Sequence, residues 1–172
     1  MPKAKEIVIN TGPIIALVAA LGELTILKDL YNRVLVPYEV AQEILVGGSK
    51  QFAIPQFTQA NWLQIWAVPL EISPFLSNSL DLGEASVIQL AINEKVNTVC
   101  IDEAAGRRVA RLNNLSLTGS VGILLRAKRE GHSFSMETAI QRMQDQGVWL
   151  SNTVINFALA QSGEGGKGKD NH

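Results

Sequence analysis

Four side chains in this sequence carry oxygen donors at positions a folded chain can gather: Asn10, Glu43, Glu84 and Asp102. Asn10 ends the apolar run Ile7-Val8-Ile9, and Asp102 ends Val99-Cys100-Ile101. In open parallel sheets ligands lie outside the carboxyl ends of the strands, so a strand that delivers a polar group to its mouth is one way to build a site. Asp and Asn are also good helix N-caps, and either residue alone carries both readings. Glu43 lies within Val40-Ala41-Gln42-Glu43-Ile44-Leu45, and Glu84 within Leu82-Gly83-Glu84-Ala85-Ser86-Val87-Ile88. Each acid alone reads first as part of a solvent-facing helix surface, and Glu84 also suits a first helical turn, where it favours the dipole. Taken as a set, the four suit a hard divalent cation, Mg2+ or Mn2+, which takes a few carboxylates and keeps several waters. Such an ion offsets carboxylate repulsion, activates a water and neutralises charge on a phosphate.

Neighbouring residues extend that chemistry. Thr11 follows Asn10, and its hydroxyl fits a metal water, a phosphate or a helix cap. Arg107 and Arg111 are i, i+4 on the helix expected after Asp102 and share a face. They read either as phosphate contacts or as a salt-bridged solvent face. Glu103 offers a fifth acid, but it reads better as an exposed first-turn residue. Arg126, Lys128 and Arg129 suit a helix C-terminus. Trp62, Trp66 and Trp149 read better as core or interface than as base-stacking platforms. Cys100, flanked by Val and Ile, reads as a buried small hydrophobe, and His132 has no partner in sequence.

The elements that must position these residues follow from patterning. A chain of 172 residues is expected to form one domain. Its 47% hydrophobic content excludes a disordered chain and supplies a core of mostly Leu, Ile, Val and Ala. Fifteen basic residues against sixteen acidic ones give a net charge of −1, so any basic surface must be local. One cysteine excludes an intrachain disulfide and fits a reducing compartment. Met1–Lys5 lacks the apolar region of a signal peptide, and Pro13 to Leu21 is far short of the roughly 20 residues of a membrane helix. The expectation is a soluble, cytoplasmic protein with no membrane partner.

Strands are expected at 6–10, 33–36, 63–68, 98–101 and 115–117. Helices are expected at 14–21, 23–31, from Pro37, and at 85–93, 104–112, 121–129, 136–144 and 153–160. The stretch 50–61 reads as a loop with a short helix. This alternation predicts an α/β fold with a mainly parallel sheet. One domain is expected over 1–161, with extra C-terminal helices in 131–161 and a disordered tail at 162–172. Gly163 to Lys169 matches most of a phosphate-loop pattern, but Asp170 stands where Ser or Thr is needed, and no strand precedes it. A receiver-type acid pocket would need a lysine after a late strand, where this chain has Gly119-Ser120.

Five blocks in order carry a resemblance: Ile-Val-Ile-Asn10-Thr-Gly-Pro, Val-Leu-Val-Pro-Tyr-Glu-Val-Ala-Gln-Glu43, Asp81-Leu-Gly-Glu84-Ala-Ser-Val-Ile, Val-Cys-Ile-Asp102-Glu-Ala-Ala-Gly-Arg-Arg-Val-Ala, and Leu-Thr-Gly-Ser-Val-Gly-Ile-Leu-Leu. Over about 6–131 the chain resembles the PIN-like domain family of the DUF3368 group. The resemblance implies a PIN-like three-layer sandwich, with a mainly parallel sheet flanked by helices. It also implies relatives that are Mg2+- or Mn2+-dependent ribonucleases, many of them dimeric toxins of toxin–antitoxin pairs. Their acidic site falls here on Asn10, Glu43, Glu84 and Asp102. Asn10 is the departure, because the broader family has aspartate there. Asparagine keeps one coordinating oxygen, loses the charge and presents an NH2 that a cation repels. DUF3368-like sequences often carry asparagine at this position.

Two functions are therefore expected to compete. The first is a metal-dependent endoribonuclease acting on single-stranded RNA, with a possible antitoxin as protein partner. The second is a PIN-like module that binds RNA or a partner protein without cutting. A homodimer is expected from the apolar face of Val154, Ile155, Phe157, Ala158 and Leu159.

Overall fold

In the computed structural model the β-branched runs form one sheet; residues 5–164 are described, with backbone alone at 48–50. The strands are β1 (Glu6–Ile9), β2 (Arg33–Val36), β3 (Gln64–Ile65), β4 (Thr98–Cys100) and β5 (Ser116–Thr118). Their order is β3-β2-β1-β4-β5, and every pairing is parallel. Val8 pairs with Leu35 on one side and with Val99 on the other, so β1 is central. The order reverses direction between β1 and β4. That reversal is the switch point where open parallel sheets leave a crevice. Asn10 and the Asp102-Glu103 pair follow the two strands that flank it.

The helices that connect and flank the strands are α1 (Thr11–Leu21), α2 (Thr25–Leu30), α3 (Tyr38–Val46), α4 (Ile54–Gln59), α5 (Pro74–Ser79), α6 (Leu82–Glu94), α7 (Ala104–Leu112), α8 (Ser120–Arg129), α9 (Met136–Asp145) and α10 (Asn152–Gln161). Right-handed crossovers put the helices of leftward and rightward connections on opposite faces of a parallel sheet. Accordingly α6 packs on β1 and β4, while α1 packs against α3, α8 and α9. The expected flanked parallel sheet is present. Ile7, Val8 and Ile9 are fully buried, as are Val99, Cys100 and Ile101, which fits strands covered on both faces. Helix α1 is buried nearly all round, from Ile14 to Ala20 with only Ile15 half-exposed, as its apolar run requires. It ends at Gly22, which adopts a left-handed φ of 78°. Burial pushes the Cys100 thiol well up from its usual range, consistent with a core residue.

Several expectations shift. The third strand is two residues long rather than six, because it is an exposed edge strand; Trp66 only continues the pairing through one bond to the Val36 carbonyl. Residues 48–59 form a 3-10 turn (Gly48–Ala53) and α4, anchored by buried Ala53 and Phe57. Helix α5 was not expected; its signal is Ser73-Pro74, an N-cap with proline in the first turn. The apolar face expected on α10 is split. Ala158 is fully buried and Ile155 and Leu159 are half-buried, whereas Phe157 is 55% exposed. Trp149 is exposed as well.

The tail expected from Ser162 first makes a docked turn. The Glu164 carboxylate accepts from Met136 N at 2.7 Å, Glu137 N at 3.1 Å and Ser135 Oγ at 3.2 Å, and it pairs with Lys128 Nζ at 3.3 Å. Residues 165–172, with most of the glycine-lysine pattern, lie outside the described residues. No helix among the described residues is long and apolar enough to cross a membrane.

Candidate metal centre

Strand β1 ends at Ile9, and Asn10 takes the N-cap position of α1 with extended backbone. Its backbone N–H donates to the Cys100 carbonyl at 3.1 Å, which ties the mouth of β1 to β4. An N-cap asparagine normally turns its side chain back to the helix. Here the side chain makes no cap bond, and Oδ1 is buried without a hydrogen-bond partner. It points instead toward α6. A Cβ built on Gly83 would lie 3.2 Å from Asn10 Oδ1, 2.9 Å from Glu43 Oε2 and 3.7 Å from Asp81 Oδ1. Three oxygens from three elements thus converge over the one residue in that turn that has no side chain.

Glu43 is brought there by α3, whose opposite face buries Val40, Ala41 and Ile44. The Thr11 hydroxyl donates to Glu43 Oε2 at 3.0 Å and fixes the carboxylate's orientation. Thr11 is itself buried.

Glu84 lies in the first turn of α6 and is 3% exposed. Asp81 caps that helix, its Oδ1 accepting from Glu84 N at 2.9 Å. Asp81, Glu84 and Glu103 each place a carboxylate oxygen within 4.8 Å of the others. Glu84 Oε1 is buried with no partner. Burial, the charge of Asp81, a hydrogen bond and charge from Glu103, and the charge of Glu43 push the Glu84 carboxyl up to about 7. Carboxylates held this close without a cation raise each other's proton affinity. The carboxyl also packs under Gly106 of α7, where a Cβ would come within 3.2 Å of Glu84 Cδ.

Asp102 is held by a different neighbour. Its Oδ1 accepts from Ser120 N at 2.8 Å and its Oδ2 from Ser120 Oγ at 2.9 Å. It therefore ties the first turn of α8 to the end of β4, while Glu103, not Asp102, takes the N-cap position of α7. Arg107 is half-buried, and its Nη1 donates to the Ile101 carbonyl at 2.8 Å. Arg111 is exposed.

Of the four residues expected to act together, the structure brings Asn10 and Glu43 to one side of Gly83 and places Glu84 beside them in the same turn. Asp81 and Glu103 complete the group of clustered acids around Glu84. The signal for Asp81 was the Asp-x-x-Glu spacing at the start of α6, which marks a cap and also brings two acids onto one turn. Glu103 is exposed, as expected, yet it leans into the cluster as the N-cap of α7.

The donor set is all oxygen, with two buried oxygens unpartnered and one carboxyl of raised proton affinity. It fits a hard divalent cation. No curated protein and no solved structure matches the chain. The DUF3368 family model, described as a PIN domain, matches residues 6–164, so the likeness runs on through α9 and α10, past the residues near 131 where the sequence resemblance ends. With a match over nearly the whole chain, and with acids gathered where that fold leaves its crevice, the protein belongs to the DUF3368 family of PIN domains.

Proposed function

We propose that the protein is a metal-dependent endoribonuclease acting on single-stranded RNA, with Mg2+ or Mn2+ as its cofactor. The observation that supports this most is the cluster of Asp81, Glu84 and Glu103 within 4.8 Å, with Glu84 Oε1 and Asn10 Oδ1 buried and unpartnered beside it. A bound divalent cation supplies charge neutralisation on the phosphodiester and an activated water. Asp81, Glu84 and Glu103 would hold it, with Glu43 and Asn10, whose oxygens converge with that of Asp81 over Gly83, completing the oxygen set. Thr11 keeps the Glu43 carboxylate oriented toward the site. Asp102 positions β4 against α8 through Ser120. Arg111 is available to a phosphate, while Arg107 holds the end of β4.

The experiment is incubation of mixed-sequence single-stranded RNA with the protein and Mn2+, beside EDTA, Glu84→Ala and Asp102→Ala controls. Cleavage abolished by EDTA and by Glu84→Ala supports the reading. A second reading, an RNA-holding module without cleavage, is favoured by Asn10, which removes one negative charge from the site. Silence of the native chain, with activity restored by Asn10→Asp, supports that second reading.

A toxin's role beside an antitoxin partner is proposed from the family resemblance, and a cytoplasmic location from the single buried cysteine. The homodimer follows from the exposed part of α10, where Val154 and Phe157 face outward. A monomeric mass by light scattering at micromolar concentration would remove it.

A further inference from the structure

Helix α7 begins at the metal centre, because its N-cap Glu103 is one of the three clustered acids. It buries Gly106, Val109 and Ala110 and exposes Ala104, Ala105, Arg108 and Arg111. Residues three and four apart lie on one face of a helix, so the exposed residues form a stripe leading away from Glu103. The first turn of that stripe is flat, since its side chains are methyl groups. Arginines follow at one and two turns. With 1.5 Å of rise per residue, Arg108 and Arg111 stand about 7.5 Å and about 12 Å along the axis from Glu103.

The three arginines of this helix are not equivalent. Arg107 is half-buried and engaged with the Ile101 carbonyl. Arg108 and Arg111 are exposed, and among the described residues neither has a hydrogen bond or an ion pair. They are therefore not the salt-bridged solvent face that the sequence also allowed. The first turn of α7 has no side-chain cap bond and no acid after the N-cap, so its free N–H groups also favour an anion lying over Ala104 and Ala105.

We propose that Arg108 and Arg111 hold successive phosphates of a single nucleic-acid strand as it leaves the metal centre along α7. The inference rests on the nuclease reading and deepens it by naming the substrate track. A single file of two cations on one helix reads one backbone. With a net charge of −1, the protein has no broad basic field to hold a second strand. Arg108 replaces Arg107 as the partner of Arg111 in phosphate binding.

The test is fluorescence anisotropy with a labelled RNA strand of about twelve nucleotides, a length suited to a single-strand binding groove. Ca2+ replaces Mg2+ or Mn2+, and affinity is measured across a salt series. Each phosphate contact on a single strand contributes a slope of about −0.7 in log affinity against log salt. The Arg108→Gln/Arg111→Gln variant is expected to lose about 1.4 of that slope and roughly tenfold in affinity near physiological salt. Arg142→Gln, an exposed arginine on α9, is expected to change neither. Mn2+ binding, titrated separately by calorimetry, is expected to be the same in wild type and the double variant. Failure of wild type to bind Mn2+ would count against the metal reading, while the salt slopes would still judge the track. The proposal is overturned by an unchanged slope in the double variant, by an equal loss in Arg142→Gln, by a duplex binding more tightly than the strand, or by no RNA binding in wild type.

Discussion

Asp81 accepts the backbone N–H of Glu84 at 2.9 Å, so the bond that starts α6 also holds two carboxyls side by side at the mouth of the sheet. Helix initiation and site assembly are the same event here. The cap gives α6 its first turn, and that turn carries Glu84 under Gly106 and Gly83 under Glu43 and Asn10. The electrostatic cost appears in Glu84, whose carboxyl is pushed up to about 7 by burial first and by Asp81, Glu103 and Glu43 after it.

That shift sets the pH dependence of the metal-free protein. The folded state binds the Glu84 proton more tightly than the unfolded chain, whose value is 4.5. Its contribution to stability is full below about 4.5 and is lost as pH rises through about 7. In EDTA the melting temperature should therefore fall between those values, and Glu84→Gln should flatten the fall. Mn2+ should oppose it, because the cation needs the deprotonated carboxylate. Thermal melts across pH with and without Mn2+ check this; a native profile that Glu84→Gln leaves unchanged would refute it.

Gly83→Ala separates site geometry from fold stability. The new methyl would lie 2.9 Å from Glu43 Oε2 and 3.2 Å from Asn10 Oδ1, and both would have to move. Alanine is the better helix former by about 1 kcal/mol, so α6 itself is not weakened. The expected result is a melting temperature within a few degrees of wild type and Mn2+ affinity lower by about tenfold, the scale at which misplaced ligands act. Calorimetric titration reads the affinity.

Asp102→Asn and Ser120→Ala should behave as a structural pair. Both Asp102 oxygens accept from Ser120, which is 1% exposed. Each substitution weakens the start of α8 by about 1 kcal/mol. Because the two residues share the interaction, the double variant should cost less than the sum of the singles. Mn2+ stoichiometry should stay at the wild-type value in both. Loss of the ion on Asp102→Asn would place Asp102 in the ligand set.

The parallel sheet, its central β1 and the acids at its mouth were legible because each rests on a local pattern: apolar runs of three or four residues, a break, and a polar residue at the break. What the sequence concealed was direction. Asn10 and Asp102 both follow strands and both suit caps, yet neither side chain caps the helix after it: Asn10 Oδ1 has no partner, and Asp102 reaches across to Ser120 of α8 while Glu103 takes the N-cap of α7. Asp81 was hidden because a cap explains it fully at the local level. Arg107 and Arg111 share a face by spacing, but burial of Gly106 and Val109 rotates Arg107 inward and Arg108 outward. The docked turn after α10 was missed because composition measures apolar burial, whereas Glu164 is held by hydrogen bonds.

Glu164 is held by the start of α9. Burial opposes its charge, but the N–H groups of Glu137 and Met136, with Lys128 and Ser135, outweigh that and hold the carboxyl down at about 2. The folded value lies below the ordinary 4.5, so the contribution to stability is present above about 4.5 and lost as pH falls through about 2. Glu164→Gln should therefore lower the melting temperature at neutral pH and converge with wild type in acid. Lys128 should matter in the same direction, because its ammonium also donates to the Phe134 carbonyl at 2.6 Å and so joins α8, the 132–135 loop and Glu164. In Lys128→Met the Glu164 dependence should shrink without vanishing, since the two backbone donors of α9 remain. Hydrogen exchange at Met136 and Glu137 reads the contact directly. Their amides should be protected in wild type and exchange faster in Glu164→Gln, while the amides of β1 and β4 stay unchanged. Equal exchange in the two proteins would mean that the carboxylate does not hold the start of α9 in solution.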